Sequence, residues 1–316
     1  MLEFFEGVPT RRELESVERY QIALASFQPG QSGLIVVERM PTGRLMVLLT
    51  RGIPIRAFHV TEGGCSEVAL DQLEATWPVG SATYQEVFLP RVAVRLLITA
   101  LEWYPPAEIK NISSEKLTAH LDTYSSEGRS GLLRLRWDGS EAYLTLMNGT
   151  LLETEAVLVT SAGIQVGKNL SQVSFGSKDV EGALFIASTD SVSYQLLSLR
   201  YVMGCLLLAY LGRYQQLVGR NLADVLANNL TQLMLSKQYD IEVDREALRD
   251  GHIFPTVATA TQAYRLLLKG ITAYSANVIG AGLSSLYLME AFNSLNPFDQ
   301  KTLRDSPLMF SIVLSR

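Results

Sequence analysis

The feature that most constrains this chain is an internal repeat. Gln31-Ser32-Gly33-Leu34-Ile35-Val36-Val37 opens an apolar run that ends in a polar turn, Pro41-Thr42-Gly43. A second run from Leu45 to Leu49 then meets Arg51-Gly52 and a third, Ile53-Pro54-Ile55-Arg56-Ala57-Phe58. The same order returns 98 residues after Gly33, with Arg129-Ser130-Gly131-Leu132-Leu133-Arg134-Leu135-Arg136-Trp137, Asp138-Gly139, Ala142 to Met147, Asn148-Gly149 and Leu151 to Val159. A repeated supersecondary unit dictates architecture before any single residue does, so the repeat sets the frame for the rest.

Each unit reads as a small antiparallel meander. Leu133-Arg134-Leu135-Arg136-Trp137 alternates with period two, which turns leucine and tryptophan to a core and the arginines to water. Asp138-Gly139 and Asn148-Gly149 offer residues that tolerate positive φ, the requirement of a tight hairpin. Gly33, Gly52, Gly131 and Gly149 are therefore the expected structural turn positions, with Gly52 and Gly149 at positive φ. A helix is expected before each meander. The first spans Arg12 to Ser26, with Leu14, Val17, Ala23 and Phe27 on its apolar side; the second spans Ser114 to Thr123, with Leu117 and Leu121, capped by Ser113 or Ser114. A helix across one face of a short sheet buries that face.

From about Ser191 short strands give way to long helical runs. Residues 1–100, 101–195 and 196–316 carry net charges of −2, −5 and +2. Tyr194 to Leu211 is apolar on nearly every side, as a central buried helix must be. Gly219-Arg220-Asn221 starts an amphipathic helix with Leu222, Val225, Leu226, Leu230, Leu233 and Met234 at helical spacing. Asp240 to Val243 reads as a short strand or extended link, followed by helices over Ala258 to Thr272 and Tyr274 to Leu295. Asn296-Pro297 begins a last short helix, where asparagine caps and proline fits the first turn. The expected fold class is α+β, with two helix-plus-antiparallel-meander modules in tandem followed by an all-α helical bundle of four to six helices. The expected domains are residues 1–100, 101–190 (a degenerate repeat) and 191–316.

Helix, Ser-Gly-Leu strand, turn, strand, then a glycine turn into a strand ending near an alanine resembles the PatA-type N-terminal domain. That module is found beside response-regulator receiver domains in bacteria. The matching stretches are Gln31 to Phe58 and Arg129 to Ala156. The first copy continues through Val68-Ala69-Leu70 and Val79-Gly80-Ser81-Ala82, whereas the second carries Ser161 to Asp179 there. The resemblance implies a signalling or scaffold role and brings no catalytic residues.

The chemistry-bearing motifs all fall short. The chain is 47% apolar and 19% charged, a globular composition, and its net charge of −5 leaves no basic excess to neutralise nucleic-acid phosphates. Ala162 to Asn169 has the glycine and lysine spacing near a P-loop, but Asn169 stands where magnesium needs Ser or Thr. Gly280-Ala281-Gly282-Leu283-Ser284-Ser285 approaches the dinucleotide fingerprint with a helix, not a strand, before it, and reads as small residues that let two helices approach. Asp240, Glu242, Asp244, Glu246 and Asp250 form an acidic cluster, but Arg245 replaces the glycine of a calcium loop; a solvated edge with Ile241 and Val243 inward is the expectation. His59, His120 and His252 stand apart, and Gly30-Gln31-Ser32-Gly33 misses the nucleophile elbow by one position. Cys205 is expected buried and inert, and Cys65, after Gly63-Gly64, exposed. No catalytic residue, cofactor or metal site is assigned.

The N-terminus lacks the cationic start and apolar run of a signal peptide, and Tyr201 to Leu211 is about half the roughly 20 residues that cross a bilayer. The expectation is a cytoplasmic, non-enzymatic bacterial signalling or scaffold protein that binds a protein partner or itself, and neither nucleic acid nor membrane. An apolar surface at the junction of the helical domain and the second module would carry this, with Met203, Met234, Met289 and Met309 contributing. The alternative is a small-molecule sensor holding its ligand among Tyr201, Tyr210, Tyr264 and Tyr274.

Overall fold

Two-residue turns with both central residues in the left-handed region build the N-terminal half. Arg51 and Gly52 have φ of 53° and 73°, Asp138 and Gly139 43° and 71°, and Asn148 and Gly149 50° and 78°. These are the type I′ angles that match the twist of hairpin strands. The protein was analysed as a computed structural model, which describes residues 4–5, 11–15, 27–39, 43–77, 83–167, 179–306 and 308. The fold is mixed α+β, with antiparallel sheets in the N-terminal half and helices after them. It divides into two compact units, Met1–Ser191 and Val192–Arg316.

The first sheet contains β1 (Arg11–Glu15), β2 (Gly33–Arg39), β3 (Gly43–Thr50), β4 (Ile53–Thr61), β5 (Gly64–Val68) and β6 (Thr83–Phe88), ordered β1-β6-β2-β3-β4-β5. The second contains β7 (Glu108–Ser113), β8 (Gly131–Trp137), β9 (Ser140–Met147), β10 (Thr150–Thr160), β11 (Gly163–Val166) and β12 (Asp179–Ile186), ordered β7-β12-β8-β9-β10-β11. In each, the last strand returns to lie between the first and second. Backbone bonds at corresponding places close both: Leu89 N–H donates to Ser32 O at 2.9 Å and Ala187 N–H to Ser130 O at 3.1 Å. Gly52 N–H donates to Gln31 O at 3.0 Å, and Gly149 N–H to Arg129 O at 2.8 Å.

Gly33 and Gly131 are not turn residues. They open β2 and β8 in extended conformation, and a Cβ at either would lie under 3.0 Å from a carbonyl oxygen, of Val87 in β6 and Phe185 in β12 respectively. Glycine is needed there for close backbone approach rather than for a left-handed φ.

Three further expectations are corrected. Residues 11–15 form the edge strand β1, paired with β6, not the start of a helix; ladder bonds override the apolar spacing of Leu14, and residues 16–26 lie outside the described residues. The second helix, Ser114–Ser126, extends beyond Thr123, and Ser113 sits at its N-cap without a side-chain cap bond. Arg134 does not face water. It is 1% exposed, because the sheet face opposite Leu133 and Leu135 is covered as well.

Both faces of the central strands are buried. Ile35, Val37, Val47 and Leu49 share a core with Phe27, Leu73 of the short helix α1 (Leu73–Thr76) and Trp77, while Leu34, Val36, Met46 and Leu48 are buried on the other face. In the second sheet Leu133, Leu135, Leu144 and Leu146 pack with Leu117 and Tyr124 of the Ser114–Ser126 helix. The helix between the sheets, α2 (Arg91–Glu102), packs on β2 and β3 of the first and on β8 and β10 of the second. It is buried from Ala93 to Leu101, so even its polar stripe, which includes Arg95 and Thr99, is covered. The expected boundary at residues 100/101 thus falls inside a helix that both modules share, and the two sheets belong to one unit. The Ser114–Ser126 helix, α3 below, covers the second sheet.

The second unit contains α4 (Val192–Val218), α5 (Arg220–Ser236), a two-stranded ribbon of β13 (Ile241–Val243) and β14 (Leu248–Asp250), α6 (Val257–Ile279), α7 (Ala281–Ser294) and α8 (Pro297–Asp305). α4 packs on each of the other four helices, with Val202, Met203, Leu206, Leu207 and Tyr210 in the core. The break between α6 and α7 lies at Gly280, φ 82°, rather than at Ala273, because glycine takes that angle at no steric cost. Gly280-Ala281-Gly282 is therefore an interhelical corner and not a close-approach surface; a Cβ at Gly282 would meet open space. Asn296 caps α8 by accepting from Asp299 N–H at 2.9 Å, with Pro297 in the first turn. At 27 residues α4 is much longer than the apolar stretch suggested. By length and composition it is the one described helix that could cross a membrane, and half of its most apolar window is buried within the protein.

The close approach at Gly131 has a measurable consequence. Gly131→Ala should destabilise the first unit by about 1–3 kcal/mol, the range for forced overpacking. Gly182→Ala, whose Cβ would first meet the end of the Ile112 side chain at 3.1 Å, should cost clearly less. Urea unfolding of the two variants beside the wild type checks this.

Candidate functional site

The second unit holds the buried pair Arg200 and Asp250 in a closed brace. Arg200 on α4 donates through Nε to Asp250 Oδ2 at 3.0 Å and through Nη2 to His252 O at 3.2 Å. Tyr264 on α6 donates its hydroxyl to the same Asp250 oxygen, and His252 N–H donates to Oδ1 at 2.9 Å. Asp250 is buried, so each lone pair engaged here offsets desolvation. His252 packs between Tyr239 and Phe254, and its Nδ1 accepts from Asp240 N–H at 3.4 Å. The group pins α4, α6 and the β-ribbon together and opens no face to a substrate.

A second cluster is made of hydroxyls. Tyr210 on α4 donates to Ser275 Oγ at 2.6 Å; Ser275 and Ser284 lie 2.6 Å apart, and Ser275 donates to Ile271 O at 2.6 Å. Burial pushes the Tyr210 phenol up and keeps it protonated. Tyr210 and Tyr264 are therefore core residues with engaged hydroxyls, while Tyr201 and Tyr274 are half-buried at its margin.

In the first unit a third cluster lies on the second sheet, and sequence reasoning missed it. Arg134 on β8 donates to Glu141 Oε1 at 3.3 Å, and Tyr143, directly opposite Arg134 on β9, donates its hydroxyl to Glu141 Oε2. Phe5 N–H donates to the same Glu141 oxygen and to the Tyr143 hydroxyl oxygen, each at 3.1 Å. Burial, then the Glu141 charge, drives the Tyr143 phenol well above its ordinary value. Burial opposes the Arg134 charge, yet Tyr143 and Glu141 outweigh it and hold the guanidinium protonated. The available signal was Glu141 on the strand after Arg134 and Arg136, an opposite charge diagonal to Arg134 on the face where the arginines were assigned to water.

The other expected positions are scattered. His59 is half-buried on β4 and His120 half-buried on α3. Asp244 Oδ1 accepts from the backbone of Glu246 and Ala247 at 2.7 and 2.6 Å, Asp250 belongs to the brace, and Ile241 and Val243 point inward. Among the described residues no group of three or more His, Cys, Asp or Glu is placed to hold a metal ion. Gly163 to Val166 is strand β11, so the P-loop-like segment is half of a hairpin; Lys168 and Asn169 lie outside the described residues. Cys65 and Cys205 are both half-buried, which corrects the buried Cys205 and exposed Cys65 expected. Met203 and Met234 are core residues and not surface ones; Met289 is half-buried, and Met309 lies outside the described residues.

The accessible features of the second unit are apolar or mixed. Leu222 and Val225, one turn apart on α5, are 41% and 52% exposed. Between α4 and α7 lies an open cleft of about 230 Å³ lined by Arg213, Gln216, Leu217, Tyr287 and Glu290, with Arg213 paired to Glu290 at 3.1 Å.

Two outcomes follow from these clusters. Asp250→Asn removes the charge that Arg200 faces and should cost about 3–5 kcal/mol, with Arg200→Met in the same chain restoring part of it; urea unfolding of the cycle reads both. Burial, with Glu67 second, pushes the Cys65 thiol from 9.0 up to about 12, against a smaller pull from Arg56. Ellman's reagent at pH 8 should therefore leave Cys65 unlabelled in the folded protein and label it in urea. A pKa raised on folding contributes stability that is present below pH 9 and lost as pH rises towards 12.

Comparison with protein-family models, curated proteins and solved structures finds no match to this chain.

Proposed function

We propose that this is a non-enzymatic bacterial signalling or scaffold protein, acting in the cytoplasm by protein–protein contact, with a foreign partner or a second copy. The observation that carries the reading is the pair Leu222 and Val225, bulky apolar side chains held on the outer face of α5. Water penalises such a pair, and a partner surface relieves the penalty at about 25 cal/mol per Å² covered. The two meander modules are, on this reading, copies of one unit, the second degenerate. The common strand order and the corresponding bonds from Leu89 and Ala187 support that descent. The C-terminal helices are proposed to form a bundle around α4. Kinship with the PatA-type N-terminal domain remains part of the proposal and rests on the turn glycines and apolar runs of residues 31–58 and 129–156.

A second reading, a small-molecule sensor, is favoured by the cleft beside Arg213 and Tyr287 and no longer by the four tyrosines. At about 230 Å³ the cleft is below the usual 300–1,000 Å³ of ligand pockets, so the contact reading ranks first. Leu222→Glu/Val225→Glu should leave the unfolding midpoint nearly unchanged, since surface substitutions shift stability by about 0.5 kcal/mol or less. The double variant should lose the cross-links that α5 of the wild type forms in cells, whether to another protein or to a second copy. Cross-links that persist through α5 would contradict the scaffold reading. A stoichiometric small molecule in native mass spectra, lost on Tyr287→Ala, would favour the sensor.

A further inference from the structure

The seat of Phe4 and Phe5 on the second sheet is an incomplete fit. Its aromatic part is filled. Phe5 is 1% exposed and stacks on Tyr143 with ring centroids 4.5 Å apart and planes within 13°. Phe4 lies 6.0 Å from the Phe185 ring and 5.7 Å from the Arg134 guanidinium. Its polar part is not filled. Arg134 is 1% exposed, and of its three nitrogens only Nη2 has an acceptor, the Glu141 carboxylate; Nε and Nη1 meet none among the described residues. A buried cation with idle donors is a group that native interiors seldom leave unsatisfied.

The occupant is also held under strain. Phe5 has φ 57°, in the left-handed region that a bulky residue enters only when its surroundings force it. The bonds from Phe5 N–H to Glu141 and Tyr143, with the ring stacking, are the forces that hold it there. The site thus recognises an aromatic pair and one backbone N–H, and keeps charged donors in reserve. A carboxylate arriving with an aromatic pair would satisfy those donors by charge-assisted hydrogen bonds, which Phe4 and Phe5 themselves do not supply.

We propose that this seat is a peptide-binding site occupied by the chain's own Phe4-Phe5 as a displaceable internal ligand, and that its external ligand is an acidic partner segment with two adjacent aromatic side chains. The proposal deepens the protein-contact reading and rests on it, but uses a different surface from α5. Tyr143 and Phe185 would take the rings, Glu141 a backbone N–H, and Arg134 the carboxylate. The internal segment, tethered beside the seat, sets the threshold that a partner must exceed.

The test uses the full chain and a synthetic hexapeptide, GFFSDD, whose carboxylates follow the phenylalanine pair at a spacing that the chain's own Glu3 and Glu6 do not offer. In titration calorimetry the variant F4A/F5A should bind this peptide at least tenfold more tightly than the wild type does. Replacing both peptide phenylalanines by alanine, or both aspartates by asparagine, should each weaken binding at least tenfold. A folded F4A/F5A protein that does not bind, or that binds all three peptides alike, overturns the proposal. If F4A/F5A does not fold, hydrogen exchange on the wild type decides: excess peptide should deprotect the segment around Phe5, and unchanged protection overturns the proposal. A wild type that is dimeric by light scattering while F4A/F5A is monomeric would assign the seat to a second copy's N-terminus and overturn the external ligand. L222E/V225E should leave peptide affinity unchanged, so failure at this seat and failure of the α5 contact read out separately.

Discussion

Arg95 on α2 donates to both oxygens of Glu155 on β10, through Nη2 at 2.6 and 2.7 Å and through Nε at 3.2 Å, and the layering of the first unit depends on this pair and on the helix that bears it. A helix covered by two sheets has no face on which a charge can reach water. Arg95 therefore needs a carboxylate brought to it by the second sheet, and Glu155 is buried at that place. Such a pair adds little net stability over an apolar substitute, but a slipped register would leave two buried charges apart. That penalty selects one docking of α2 on β10. Arg56 on β4 adds a tie from the first sheet to the far end of the same helix, through Glu102 at 2.7 Å.

The same logic recurs wherever a charge is buried. Arg200 is matched by Asp250 and the His252 carbonyl, and Tyr264 donates to Asp250 in turn, so the brace rigidifies the helical unit and leaves little chemistry to spare. The Arg134 cluster differs. Glu141 serves Arg134, Tyr143 and Phe5 together, and the guanidinium still has donors to give. Closed clusters read as architecture, and the open one reads as recognition.

Local chemistry was legible in the sequence, and distant partnership was not. Asp138-Gly139 and Asn148-Gly149 announce their hairpins because few residues besides Asp, Asn and Gly accept positive φ. Asn296-Pro297 likewise announces α8. Gly33 and Gly131 were visible as marked positions but misassigned as turns, because the carbonyls they accommodate, from Val87 and Phe185, return more than fifty residues later in the chain. Alternation in β8 told the two faces apart correctly, yet could not tell that the arginine face is covered by Phe4 and Phe5 from the opposite end of the module pair. Residues 11–15 carry a spacing compatible with a helix, and only the presence of β6 makes them a strand. The boundary at residues 100/101 failed for a related reason: a helix covered on every side belongs to no single module. Of the candidate sites, the tyrosines of the helical unit were visible as a group, but their hydroxyl partners Ser275, Ser284 and Asp250 come from other elements.

The central claim is that α2 makes the two sheets one cooperative body, and native-state hydrogen exchange of Arg95→Met tests it most directly. The substitution strands Glu155 and should cost about 3–5 kcal/mol. The account predicts that slowly exchanging amides of β2 and β3 in the first sheet lose as much protection as those of β8 and β9 in the second, since all open in one global event. Loss confined to β8 and β9, with β2 and β3 unchanged, would show two modules that unfold independently and would contradict the account.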